Sequence, residues 1–577
     1  MKVSIDWLKE LVEINDIGEV IRLLPLRTIG TKEETEDFIE LDMKGYNRAD
    51  LLSMRGVAYE VAAITDSKVK FSENESQIKE VGKINVEINN PKLCPIYCVA
   101  KIENLKVEQS SDAWVKKLSD SSLRSVNKIA DITNLIMLEY GQPLHAFDAS
   151  KVSNETIVVR IAKDGERITT LDGKTRDLET ADLLIADPQN NLGIAGVMGG
   201  KDSEVSDSTS TILLEAAIFD PAALRATSTR LGISSEASKR FYHGLTKKRL
   251  FQALDAAIKM YQGLGGKLTA LTIVGDFEDR QKNIVLTKEK LDSLIGVNIP
   301  ADEVQKYLEK LHFALAHPQG VDRDSAEFHL GGESSWTVSP PYWRLDINIE
   351  EDLVEEVARM YGYEKIPAKE LSKNLPAGRQ VDQSLFELIY KIKTSLVNLG
   401  LTEIQTYSFY STQIIENLQV DTDNLVKIAN PISSETEYLR DNIWPNLLEK
   451  VAQNMKHGFS DIAVFEVGKV YQAVENNRPK ETYKLSITLL NGSNNPIREL
   501  YQIFQDTLLH LPAGKAGLRG VTKRGNEEKY FHPTRLSFLE HSGKEVGKVA
   551  EVHPKIVNRF GVEKRIAVLE IEIGNPL

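Results

Sequence analysis

The sequence predicts a multidomain α+β protein, and three observations carry that expectation. At 577 residues the chain is too long for one domain, since about 150 residues each is the usual measure. Helical stripes and alternating strand-like runs both occur, and their mixture changes from one stretch to the next. Two polar stretches, SKVKFSENESQIKE at 67–80 and AKELSKNLPAGRQVDQ at 368–383, read as linkers. Composition is that of a folded globular protein, 41% hydrophobic and 27% charged.

The N-terminus, MKVSIDWLKELVEI, starts like a basic leader, but Asp6, Lys9, Glu10 and Glu13 interrupt it. Ile5, Leu8, Leu11 and Val12 instead share one helical face, which predicts an amphipathic first helix and no export signal. No apolar run approaches the roughly 18 residues of a membrane span. FIELD reads as a strand, and a second helix follows with Ser53 as its N-cap and Val57, Val61 and Ile64 on one face. With the linker this makes a first unit, residues 1–80.

Residues 81–275 form a second unit, in which strand-like runs such as ETIVVRIA and STILLEAAIF alternate with Gly-rich turns. Its two cysteines, Cys94 and Cys98, are the only ones in the chain and have no neighbouring His, so packed thiols are expected. A cytoplasmic location follows. The net charge of −13 argues against a protein that coats nucleic acid broadly. Lys239, Arg240, Lys247, Lys248 and Arg249 make the best local basic patch, with a solvated helix face as the other reading.

A third unit, 280–370, opens with two helical patterns, LTKEKLDSLIG and PADEVQKYLEKLHF, with Pro300 at the first turn of the second. Residues 314–335 read as a loop or hairpin. Then comes RLDINIEEDLVEEVARMYGYEKIP. Leu345, Ile347 and Ile349 alternate like a strand, and Leu353, Val357, Met360 and Tyr361 make a helical stripe ended by Gly362. Asp352, Glu355 and Glu356 share one helical face, with Asp346 just before them. Four hard oxygen donors there would suit Mg²⁺; an acidic first turn that complements the helix dipole needs no metal.

The last unit, 384–577, opens on an amphipathic helix with Leu385, Leu388, Ile389, Ile392, Leu396 and Leu399 in its stripe, ended by Gly400. A second helix has Pro445 near its start and Gly458 after it. The runs IAVFEVGKVY, KLSITLL, RLSFLE and RIAVLEIEI predict a largely antiparallel sheet. LPAG occurs at 375–378 and 511–514, too short to be a structural repeat.

Six stretches, in order, resemble the β subunit of bacterial phenylalanyl-tRNA synthetase: NRADLLSMRGVAYEVAAI, DITNLIMLEYGQPLHAFD, AGVMGG with LLEAAIFDP, SSEASKRF, RLDINIEEDLVEEVARMYGYEKIP and LRDNIWPNLLEKVAQNM. The resemblance implies a mixed α/β editing domain at 81–275, a helix-turn-helix-like domain at 280–370, and a class II synthetase-like antiparallel sheet at 384–577 without catalytic motifs. It implies an α2β2 heterotetramer with an α subunit that uses ATP to charge tRNA(Phe), and no membrane partner. It places a Mg²⁺ site, shared with the α subunit, on Asp346, Asp352, Glu355 and Glu356, with Arg344 as a charge partner. The resemblance also implies two departures, an absent OB-fold insertion and an absent C-terminal anticodon-binding domain.

The resemblance further maps an editing pocket onto Arg124, His145, Gly199, Glu215, Ser235 and Ala237. There the expected chemistry is hydrolysis of tyrosyl-tRNA(Phe) by a positioned water. Editing has a physical motive, because an apolar pocket rejects an added hydroxyl only about 10²-fold, whereas a polar group that needs the hydroxyl discriminates by about 10⁴ to 10⁵. Glu215 would accept from a tyrosine hydroxyl, Gly199 would leave room for the ligand, and His145 and Arg124 would meet the ester or the tRNA terminus. Where the family pattern continues SxRFERG, this chain has Tyr242 and His243. A structural subunit with a dead pocket is therefore the alternative, and a free-standing RNA-binding module is disfavoured by the acidic charge.

Overall fold

The computed structural model describes residues 1–73, 76, 78–279, 282–316, 335–369, 384–473, 478–509, 518–521, 529–541 and 544–573. Most of the expected linker 368–383, both LPAG stretches and most of the expected hairpin 314–335 lie outside these. The chain divides into two compact units, 1–370 and 371–577.

The first unit begins with the helix Ile5–Leu11, capped by Ser4, whose Ile5, Leu8 and Leu11 are buried as the stripe predicts. The helices Ile17–Arg27 and Met54–Thr65 follow, the latter capped by Ser53, with the strand Phe38–Leu41 between them. The polar stretch 67–80 is not a free linker. Lys70 N–H donates to Leu11 O at 2.8 Å, and the Phe71 ring meets Tyr59 edge-on at 5.2 Å. Glu73 accepts from the hydroxyls of Tyr59 (2.6 Å) and Tyr342 (2.9 Å) and from Gln252 (2.7 Å).

Two sheets build the next part. One runs in the order Met198–Gly199, Asn191–Ile194, Leu183–Ala186, Thr156–Ile161, Asn85–Ile88, and the other Lys267–Gly275, Ile96–Glu103, Ile212–Ile218, Leu144–Asp148. Their pairings are antiparallel except for Asn85–Ile88 against Thr156–Ile161. Every residue of Ile212–Ile218 is buried, which explains its near-continuous apolar run: both faces are covered. The helices Lys128–Tyr140 and Lys247–Gly263 supply one cover. Cys94 and Cys98 are buried free thiols, as expected.

The third part carries the expected helices at Lys288–Ile295 and Ala301–Lys310, the latter starting just after Pro300. A three-stranded sheet, Ile284–Thr287, Ser335–Ser339, Ala314–Ala316, packs with them and with the helix Glu350–Tyr361. The alternation at 345–349 is not a strand. Arg344 N–H closes a turn onto Pro341 O at 2.9 Å, and the Asn348 side chain donates to Leu345 O and Asp346 O. A local polar side chain has outcompeted sheet pairing.

A buried ion network joins the two ends of this unit. Glu60 accepts from Arg48 (2.6 Å) and from both terminal nitrogens of Arg359 (2.8 and 3.0 Å). Glu356 accepts from Arg344 and Arg359, each at 2.6 Å, while Asp50 takes Arg48 (2.7 Å) and Asp346 takes Arg344 (2.7 Å). Arg27 donates to Arg359 O (2.9 Å) and Met360 O (3.0 Å). Gly362, at φ +105°, leaves no room for a Cβ beside the Arg27 guanidinium.

The second unit is a seven-stranded sheet, Thr402–Glu403, Ile462–Gln472, Lys480–Leu490, Ala567–Ile573, Lys544–Val552, Phe531–His541, Leu518–Val521. Only its first pair is parallel. Alternation sorts its faces: Phe465, Leu485, Ile487 and Leu569 pack with the helices Ser384–Asn398 and Pro496–Leu509. Val464, Leu490 and Val568 pack with the helix Trp444–Lys456.

Burial alone would raise the Glu60 carboxyl, but Arg359 and Arg48 outweigh it and hold its pKa well below the usual range. Glu356 is lowered in the same way, by Arg344 and Arg359 against burial. A lowered folded-state pKa stabilises above the unfolded value of about 4.5, and that contribution is lost as pH falls through the folded value. Stability of the first unit is therefore expected to decline as pH falls below about 4.5. Glu60→Ala, which takes one of two carboxylate partners from each of two buried guanidinium groups, is expected to destabilise it by about 3 kcal/mol at pH 7. Urea unfolding across pH measures both, with Glu60→Gln expected to show the shallower acid slope.

Candidate functional site

A cavity of about 80 Å³ opens between the five-stranded and four-stranded sheets of the first unit. One wall is His145, Phe147 and Glu215 from the four-stranded sheet. The other is Gly193, Met198 and Gly199 from the five-stranded one, and Ala237 and Phe241 come from the helix Glu236–His243. Four of the sequence-predicted residues, His145, Gly199, Glu215 and Ala237, thus meet at one place.

Strand register accounts for the first pair. Glu215 and His145 are directly opposite in the antiparallel ladder, so their side chains leave the same face close together. Gly199 answers to the imidazole: a Cβ there would lie 2.7 Å from His145 Cε1 and 2.9 Å from Nε2, so only glycine lets the ring lie against this backbone. The Phe147 ring meets His145 edge-on at 4.6 Å.

The electrostatics of the pair are set by burial. Burial pushes the Glu215 carboxyl up to about 7, and a hydrogen bond from the Tyr97 hydroxyl to Oε2, 2.8 Å long, pulls it partly back. Burial lowers His145 to about 4, so the imidazole is neutral near pH 7. Its Nε2 is out of solvent and has no hydrogen-bond partner among the described residues. A buried nitrogen without a partner and a carboxyl poised near neutrality are unfavourable for the fold and suited to a polar ligand.

Ser235 does not line the cavity. Its hydroxyl donates to Val197 O at 2.8 Å and caps the helix that carries Ala237, so it holds two walls together. Arg124 is exposed on the turn before the helix Lys128–Tyr140 and lies outside the cavity. Tyr97 is the contributor that sequence reasoning passed over; lying about 120 positions from Glu215, it carries no local signal. The expected basic patch is not one. Arg240 and Arg249 are 1% and 4% exposed, and Lys239 and Lys247 pair with Glu236 and Asp276. Arg240 donates to Leu52 O (3.0 Å) and to Glu236 (2.8 Å), because its helix turns that face inward.

Three of the four carboxylates expected to hold Mg²⁺ have other partners. Asp346 and Glu356 face Arg344. Asp352 Oδ2 accepts from the backbone of Asn348 (2.7 Å) and Ile349 (3.0 Å) at the helix start, and Glu355 is exposed. Nearby Glu350 accepts from Thr287 N–H at 2.8 Å and pairs with Lys290. Among the described residues no three ligating side chains surround one point. The set as arranged does not fit a Mg²⁺ ion, because two of its members already neutralise a guanidinium.

Family comparison places this geometry. Residues 93–266 match the B3/4 domain, 284–363 the tRNA synthetase B5 domain, and 370–573 the phenylalanyl tRNA synthetase beta chain CLM domain. Curated relatives named phenylalanine–tRNA ligase beta subunit include that of Streptococcus agalactiae, 33% identical with 93% of this chain and 66% of the relative covered. That of Staphylococcus haemolyticus is 35% identical, covering 88% and 63%, and that of Protochlamydia amoebophila is 33% identical, covering 98% and 71%. The chain therefore spans about two thirds of the length of such relatives. An N-terminal fragment of the Pyrococcus horikoshii phenylalanyl-tRNA synthetase beta subunit aligns at 17% identity and a TM-score of 0.34, covering 63% of this chain and 99% of the fragment. By its identity and coverage against the curated relatives, the chain belongs to the phenylalanine–tRNA ligase beta subunit family.

Proposed function

We propose that this chain works in the cytoplasm as the β subunit of an α2β2 phenylalanine–tRNA ligase. The α subunit would use ATP to charge tRNA(Phe) with phenylalanine, and the cavity at Glu215 would hydrolyse mischarged tyrosyl-tRNA(Phe). The observation that carries the editing role is the convergence of buried Glu215, neutral His145 and Gly199 on one cavity. A phenol hydroxyl gives the second oxygen of the Glu215 carboxyl a partner, whereas a phenyl ring leaves that oxygen unpaired at about 1–3 kcal/mol or more. In the reaction, water adds to the ester carbonyl carbon. The bond to the ribose oxygen breaks, and that oxygen leaves with a proton, giving free tyrosine and uncharged tRNA. His145 Nε2 offers a hydrogen bond to the ester end.

Two features support a charging site on a partner. The start of the helix Trp444–Lys456, where an anion such as a phosphate would dock, is taken by Glu570, which accepts from Ile443 N–H (2.8 Å) and Trp444 N–H (3.0 Å). Glu466 is likewise held by Arg440 at 2.8 Å. The helix Ser384–Asn398 leaves Phe386 (62% exposed), Tyr390 (71%) and Val397 (52%) on one outward face, and such a stripe marks a partner surface. No helix among the described residues is long and apolar enough to cross a membrane. The acidic stretch is not assigned a Mg²⁺ ion.

A second reading, a structural subunit with a silent pocket, is favoured by size: about 80 Å³ is roughly half the 150 Å³ cavity that accepts benzene. Deacylation by the assembled complex decides between them. The editing role requires hydrolysis of tyrosyl-tRNA(Phe) above the spontaneous rate; hydrolysis at that rate means a silent pocket. Glu215→Ala is expected to narrow the tyrosyl-over-phenylalanyl preference by about tenfold or more and to leave phenylalanine charging near normal. His145→Ala is expected to slow both hydrolyses with less effect on their ratio. Separately, the purified chain alone is expected to show no phenylalanine-dependent ATP–pyrophosphate exchange, and exchange by this chain alone would overturn the division of labour.

A further inference from the structure

Glu215 has two carboxyl oxygens and, among the described residues, a single donor. Tyr97 OH reaches Oε2 at 2.8 Å from the neighbouring strand Ile96–Glu103. In that ladder Ala217 stands opposite Tyr97 and Val99 opposite Glu215, so the phenol reaches diagonally along one sheet face, a span open to an aromatic side chain. Tyr97 is itself fully buried, and it does not line the cavity. Its hydroxyl is bonded to Glu215, which does line it.

We propose that Tyr97 is a positioning residue for specificity: by holding Oε2 it aims the other carboxyl oxygen of Glu215 at the hydroxyl of a tyrosyl group in the cavity. This rests on the editing reading above. An unheld carboxyl would have rotamers to choose among, and ordering it would fall to the ligand. The surroundings leave the task to Tyr97. Of the titratable groups facing Glu215, Cys94 and Tyr97 have pKa values raised by burial and stay neutral, and His145 is neutral. The five-stranded sheet contributes Gly193, Met198 and Gly199, and the helix contributes Ala237 and Phe241, all uncharged.

A dependence on pH follows. Burial raises the Glu215 carboxyl to about 7 and the Tyr97 bond opposes that rise. The ionised carboxylate penalises a phenyl ring more than the neutral acid does, so the tyrosyl-over-phenylalanyl hydrolysis ratio rises as pH passes through about 7. Without the Tyr97 bond the rise shifts to higher pH.

The test is a cycle of Tyr97→Phe, Glu215→Gln and the double substitution in the assembled complex. Hydrolysis of tyrosyl- and phenylalanyl-tRNA(Phe) is measured from pH 6 to 9, with the spontaneous rate subtracted. Tyr97→Phe is expected to lower the ratio on the order of tenfold, the effect of one hydrogen bond to a charged group, and to move its rise upward in pH. Glu215→Gln is expected to give a flat profile, with no further loss on adding Tyr97→Phe. An unchanged ratio and profile in Tyr97→Phe overturns the proposal. So does an equal loss in both backgrounds, which would mark a packing or folding defect. If the wild-type complex hydrolyses neither ester, the editing reading itself falls and takes this inference with it.

Discussion

The carboxylate of Glu60 is where residues from both ends of the first unit meet. Arg48 comes from the stretch before its own helix, and Arg359 comes from the helix Glu350–Tyr361, about 300 positions later. Glu356 repeats the arrangement one step away with Arg344 and Arg359. Isolated buried ions would be strongly unfavourable; here each guanidinium has more than one acceptor, which is the condition under which burial of charge is tolerated. Because the network is nearly dry, its geometry is strict, and it draws the third part of the chain against the first.

That same strictness turns the acidic stretch toward arginines rather than toward one common point. Carboxylates that neutralise arginines are held by directional hydrogen bonds, two of them bidentate or nearly so. Asp352 has a backbone task at the helix start. Charge density in a sequence thus says little about metals until the cations nearby are known.

The cavity works by the opposite logic. There the polar groups are incompletely satisfied: His145 Nε2 lacks a partner and Glu215 has one donor. The two sheets exclude water around them, so each unmet hydrogen bond is worth more than it would be at the surface. The second unit shows what happens when such groups are fully met, as Glu466 and Glu570 tie strands and a helix start together.

Much of the local structure was legible in the sequence. The stripes at Ile5–Leu11, Met54–Thr65 and Ser384–Asn398 and the alternation at Ile462–Gln472 are periodic over enough residues to identify themselves. Their caps and terminal glycines are local chemistry. Short patterns failed where a side chain intervened, as at Leu345–Ile349, where Asn348 closes a turn. The basic run at 239–249 failed because residue type does not say which way a helix faces. His145, Gly199, Glu215 and Ala237 entered through resemblance, and no spacing joins them in the chain. What the sequence by itself determined was the longer periodic elements and their apolar faces. Only the tertiary structure decided that strand register sets Glu215 opposite His145 and within reach of Tyr97, and that Arg344 takes two of the acidic residues, because both depend on which distant backbones are brought side by side.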